Sequence, residues 1–108
     1  MRIYRIANTI QIYQGQNVYN KNSPFYTTDK EWARQFTQSG LEKEVKPFLV
    51  DSSQIYSKEI LPLATNEESL DEGIQEAKEN GFKALWVNEG INEPNSIYVL
   101  DKSILKSL

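Results

Sequence analysis

The sequence predicts an α+β domain, and three features of it predict that class. Two N-terminal segments, RIYRIA at 2–7 and IQIYQ at 10–14, alternate with the period of two that belongs to strands. Two later runs, FKALWVN at 82–88 and SIYVL at 96–100, are hydrophobic and carry the residues that favour strands. Between these groups, Thr28 followed by Glu31 and Ser69 followed by Glu72 form capping-box patterns, each of which marks the start of a helix. The expected architecture is therefore a β-core with two flanking helices.

Each element has a local reason. In RIYRIA, Ile3 and Arg5 fall on one face and Arg2, Tyr4 and Ile6 on the other. After IQIYQ, the residues Gly15, Asn17, Asn20, Asn22, Ser23 and Pro24 supply a loop, and 25–27 forms a short extended piece. A helix then opens with Thr28 as its cap, or with Asp29 as the alternative, and Trp32, Ala33 and Phe36 take the spacing of a buried stripe, with Gly40 as its stop. VKPFLVD at 45–51 reads as a strand, in which Pro47 favours an edge or a bulge because it cannot donate to a ladder. Ser52, Ser53 and Gln54 make a turn into another short extended run. Leu70, Ile74 and Ala77 define the apolar face of the second helix, which is otherwise polar and ends before Gly81. The run at 82–88 is nearly continuous enough to be buried on both faces.

A chain of 108 residues is one domain by length, spanning 1–108, and 39% hydrophobic, 25% charged and 11% aromatic residues place it among globular proteins. The net charge of −3 argues against nucleic acid as a partner, since such binding needs a basic patch to replace counterions. Nothing approaches the roughly 20 apolar residues of a membrane span, and MRIYRIANT lacks the apolar core of a secretory signal, so a cytoplasmic location with no membrane contact is expected. With no cysteine and no histidine there is no thiolate nucleophile, no imidazole base, no Ser/His/Asp triad and no sulfur- or imidazole-ligated metal. No metal site is expected. Any catalysis rests on carboxylates, Tyr, Ser/Thr, Lys/Arg or a cosubstrate.

Three groups of residues are candidates for that chemistry. Glu89 directly follows a hydrophobic strand, which fixes its position while the loop leaves it accessible, and Glu93 lies on the same loop. The plainer alternative is that both acids solvate a hairpin whose turn is formed by Gly90, Asn92, Pro94 and Asn95. Tyr26, Thr27 and Thr28 combine an aromatic ring with hydroxyls at a helix start, suited to a heteroaromatic and anionic ligand; equally, Tyr26 can be core and Thr28 only a cap. Arg2 and Arg5 offer partners for phosphate or carboxylate, or are surface residues. Glu67, Glu68, Asp71 and Glu72 are explained by the macrodipole at a helix start.

Taken in order, three motifs resemble the small, divergent ADP-ribosyltransferase fold of prokaryotic and phage-associated proteins. They are the early IYR at 3–5 (or IYQG at 12–15), FYTTDKEWARQF at 25–36, and an ending in which a helix, Gly and Phe precede two strands and close with IYVLDKSILKS at 97–107. The resemblance implies a split antiparallel β-core with two flanking helices, a cleft that holds NAD as cosubstrate, and transfer of ADP-ribose to a macromolecular target, most simply a protein and, by similarity to phage anti-CRISPR transferases, a host-defence component. By the same resemblance, Arg5 with its neighbour Tyr4 takes the first-strand position that contacts the dinucleotide, and Tyr26 and Thr27 take the second, beside ribose or nicotinamide. The third position, where the family expects an acid, falls on Ser96. Glu89 is the expected replacement, with Glu93 second. The alternatives are a catalytically silent descendant acting as a binding module or inhibitor, and an unrelated small interaction domain.

Overall fold

The computed structural model describes residues 8–18 and 22–108. The strand expected over RIYRIA, and with it Tyr4 and Arg5, lies outside the described residues. Seven strands and two helices follow in the order β1 (Thr9–Gly15), β2 (Phe25–Thr27), α1 (Lys30–Arg34), β3 (Val45–Asp51), β4 (Ile55–Tyr56), α2 (Glu67–Glu79), β5 (Ala84–Val87), β6 (Ser96–Val99) and β7 (Lys106–Ser107). They form one mixed sheet with strand order β4-β5-β6-β2-β1-β3-β7. All neighbours are antiparallel except β4 and β5, which α2 connects as a parallel crossover. The split antiparallel core that the resemblance implies is corrected on this point: the sheet is mixed.

The sheet is nearly two sheets. β1 pairs with β3 along its whole length, from Thr9 opposite Asp51 to Gly15 opposite Val45, yet meets β2 at the single pair Tyr13–Thr27. Pro47 takes a place that costs no ladder bond, since β7 covers only Phe48 and Leu49 on the outer side of β3.

Directly opposed residues in a ladder point to the same face, so the register sorts the core. Tyr26, Ile97 and Trp86 form one cross-strand row, and with Ile12, Val50, Ala84 and Val99 they build a core on one face, closed by Ile104 and Leu105 from the chain end. Tyr13, Thr27, Ser96 and Val87 form the next row, on the other face. That second face carries both helices. Leu70, Ile74 and Ala77 of α2 pack on Leu85 and Val87, while α1 lies over β1. The approach of α1 is so close that a Cβ on Gly15 would stand 2.0 Å from the Ala33 carbonyl oxygen.

The first helix takes the alternative cap offered by the sequence, and the second starts earlier than expected. The Thr27 hydroxyl accepts from the Asp29 amide, forming a turn that carries the chain one residue further, and Asp29, not Thr28, caps α1 by accepting from the Trp32 amide at 3.0 Å. α1 is also short. Thr37 Oγ1 donates to the Arg34 carbonyl and the Arg34 guanidinium to the Gly40 carbonyl, so the helix unwinds well before Gly40, leaving Phe36 45% exposed instead of buried. α2 begins two residues before Ser69: Asn66 is its cap, accepting from the Ser69 amide, while Ser69 Oγ accepts from the Leu63 amide and ties the preceding loop to the helix. Its other end follows expectation. Gly81, at φ +79°, and Phe82 donate to the carbonyls of Lys78 and Ala77 in a Schellman arrangement.

Candidate functional site

Between the two helices the sheet is left uncovered, and a cavity of about 320 Å³ opens there. Its floor is the cross-strand row Tyr13, Thr27 and Ser96, which lies at the single-pair joint between the two halves of the sheet. Trp32, Ala33 and Phe36 of α1 form one wall, and Ala64 and Glu89 stand on the side of the β5–β6 loop.

Glu89 is held by its neighbours. Asn88 donates its amide to the Pro62 carbonyl and accepts from the Ala64 amide, both at 2.8 Å, and its side chain accepts from the Gly90 amide at the same distance. Pro62 is in turn buried against α2, where a Cβ on Gly73 would come within 2.6 Å of its ring. The close contact of Gly73 with Pro62 therefore sets where Asn88, and one residue later Glu89, meets the cavity. Half-buried Glu89 makes no hydrogen bond or ion pair among the described residues. Its carboxylate is left unpaired beside the cavity.

The floor supplies hydroxyls. Ser96 is 3% exposed, and its hydroxyl has no hydrogen-bond partner among the described residues. With its oxygen taken by the Asp29 amide, the Thr27 hydroxyl keeps a proton to donate. Gln14, 5% exposed, donates both amide hydrogens, to the carbonyls of Ser23 and Phe25, and so fastens β1 to the segment entering β2 where the ladder has stopped. Only its amide oxygen retains bonding capacity.

Four of the residues singled out from the sequence thus border one cavity: Tyr26, Thr27, Glu89 and Ser96. Tyr26 does so from its strand alone. Alternation turns its ring to the opposite face, where it meets Phe48 edge-on at 5.5 Å and burial pushes the phenol pKa up. Glu93 is elsewhere, exposed in a shallow neighbouring groove with Asp29, Glu31 and Arg34 that shares only Trp32 with the cavity. Sequence reasoning missed Gln14 and Tyr13 as site residues. No pattern signalled Gln14: alternation places it with Ile10 and Ile12, on the face away from Tyr13, and it borders the cavity beside the Ser23 and Phe25 carbonyls to which it donates.

No protein-family model, curated protein or solved structure matches this chain. Among the described residues no helix is long and apolar enough to cross a membrane. The described residues form a small α+β domain with a mixed seven-stranded sheet, two helices and a cavity over the joint of that sheet.

Proposed function

We propose that this cavity binds the nicotinamide–ribose end of NAD, and that the protein transfers ADP-ribose from NAD to a macromolecular target, a protein being the simplest class. The observation that carries the reading is the arrival of Glu89, unpaired, at the same cavity as the hydroxyls of Thr27 and Ser96. Breaking the bond between nicotinamide and C1′ of the ribose sends the bonding electron pair out with nicotinamide and builds oxocarbenium-like positive charge on the sugar. A carboxylate at the cavity wall stabilises that charge more strongly than it would in water. Thr27 and Ser96 are suited to the ribose hydroxyls, with the target nucleophile forming the new bond at C1′ and losing its proton. A volume of about 320 Å³ is at the lower end for small-molecule pockets and suits one half of a dinucleotide.

A second reading is favoured by one observation: the residue on the floor is Ser96, which carries no charge, so the fold can hold the ligand as a binding module without turnover. Glu89→Gln separates the two. It keeps shape and hydrogen bonding while removing charge, so under the transfer reading it binds NAD but releases nicotinamide about a hundredfold more slowly. Equal release by wild type and variant refutes Glu89 as the stabilising acid. Binding of NAD with no release by the wild type supports the binding module.

A further inference from the structure

Four aromatic side chains line the cavity, and they come from three different elements: Tyr13 from β1, Phe25 from β2, and Trp32 and Phe36 from α1 and its continuation. Their arrangement is fixed by other contacts. Trp32 and Phe36 meet edge-on at 5.6 Å and 70°, and Phe25 is held edge-on by Tyr98 at 5.1 Å and 86°. Each ring carries negative potential over its face and positive along its edge, so a cation seated over a face is attracted there.

The charges around the cavity act in the same direction. Among the described residues Glu89 is the one carboxylate on its wall, and no lysine or arginine lines it. The arginine of the adjoining groove, Arg34, is committed to the Glu31 carboxylate at 3.2 Å and to the Gly40 carbonyl at 3.0 Å. A cation entering the cavity would meet an unpaired carboxylate and aromatic rings. An anion would meet repulsion, and a neutral ring of the same shape would gain burial alone.

We infer that the cavity selects its ligand by positive charge, taking a flat N-substituted aromatic cation of the pyridinium class and discriminating against the neutral, reduced form of the same ring. This deepens the NAD reading and rests on it for the identity of the natural ligand. The pairing of rings with a carboxylate predicts the charge preference whatever the rest of the ligand is.

The test is calorimetric titration of the full chain with the 1-methylnicotinamide cation, its neutral 1,4-dihydro form and neutral nicotinamide, followed by NAD against NADH. The cation is expected to bind about tenfold or more tightly than either neutral ring, a difference within reach of a cation–π contact joined to a carboxylate. Glu89→Gln should remove most of that preference while leaving neutral nicotinamide binding unchanged. Trp32→Leu should weaken the cation more than the neutral ring, with circular dichroism confirming that the variant is folded; if it is not, Phe36→Leu, on an exposed side chain, takes its place. Equal affinities for cation and neutral ring, no binding of any probe, or an unchanged preference in Glu89→Gln overturns the inference. The two proposals fail separately: NAD bound no more tightly than NADH refutes charge selection and leaves the NAD reading standing, whereas a selective response to the cation without NAD binding does the reverse.

Discussion

Replacing Gly15 by alanine tests the link between the fold and the cavity, because α1 rests on β1 at that glycine. The new Cβ would lie 2.0 Å from the Ala33 carbonyl oxygen and 3.1 Å from the carbonyl carbons of Ala33 and Phe36. All three are backbone atoms that no rotamer change can move. A normal carbon–oxygen contact is about 3.3 Å or more, so the helix must withdraw by about 1 Å. Overpacking of this kind costs about 1–3 kcal/mol, while alanine recovers about 0.5–1 kcal/mol by restricting the unfolded chain. The net loss is about 0.5–2 kcal/mol, or roughly 3–15 °C in the melting midpoint of a domain of this size. The assay pairs thermal unfolding by circular dichroism with titration of the 1-methylnicotinamide cation, since Trp32, Ala33 and Phe36 form the wall that would move. Gly40→Ala is the control: its Cβ meets nothing within 4 Å, but φ is +69°, so it should cost about 1–2 kcal/mol without touching the cavity. A Gly15→Ala protein that melts within about 1 °C of wild type would show that α1 does not rest on this glycine.

Urea unfolding should show Asp29→Ala losing about 1 kcal/mol as the cap of α1 is removed, and Thr28→Ala changing by no more than about 0.5 kcal/mol; equal losses would return the cap to Thr28. Stability should also fall in acid. The Ser53 amide holds the Asp51 carboxyl below its ordinary range, the Ser103 hydroxyl and amide do the same for Asp101, and a hydrogen bond from Lys58 lowers Glu76. A depressed folded value means that the unfolded chain binds the proton more readily, so this stabilisation is present above about pH 4 and is lost as pH falls through the folded values. Lys58 runs the other way: its pKa is raised, chiefly by the bond to Glu76, so its contribution holds below the ordinary lysine range and is lost as pH rises through the raised value. Melting midpoints of wild type and Asp51→Asn/Asp101→Asn measured across pH should differ at neutrality and converge in acid; a constant gap would refute the assignment.

How much of this was legible in the sequence depends on whether the deciding contact was local. VKPFLVD became β3 over the residues read from it, because a β-rich run was bounded by turn formers; the edge that Pro47 favoured is met only locally, since β7 flanks β3 at Phe48 and Leu49 and leaves Pro47 uncovered. The Gly81 stop of α2 was equally local. The two caps were not decided by residue type, since Thr28 and Asp29 are both good caps and the Thr27 hydroxyl, by turning the chain at 27–29, chose between them. The two-residue β4 is too short to announce its direction, and its parallel pairing exists only because α2 packs across the sheet.

The same distinction runs through the candidate site. Adjacent strand residues face opposite sides, so Tyr26 and Thr27 could not both point into one cleft, but which of them did so depended on the pairing of β2 with β6. Opposite Ser96, Thr27 joins the floor; opposite Ile97, Tyr26 joins the core. Glu89 and Glu93 share one loop, and the local sequence ranks them only by the hydrophobic strand that Glu89 directly follows. What holds Glu89 at the cavity comes from Pro62 and Ala64, which clamp Asn88 by its backbone, and from Gly73, whose missing side chain lets Pro62 sit against α2. The position of the acid is thus set by a proline and a glycine that carry no chemistry of their own, and a reading confined to chemically reactive residues could not have found them.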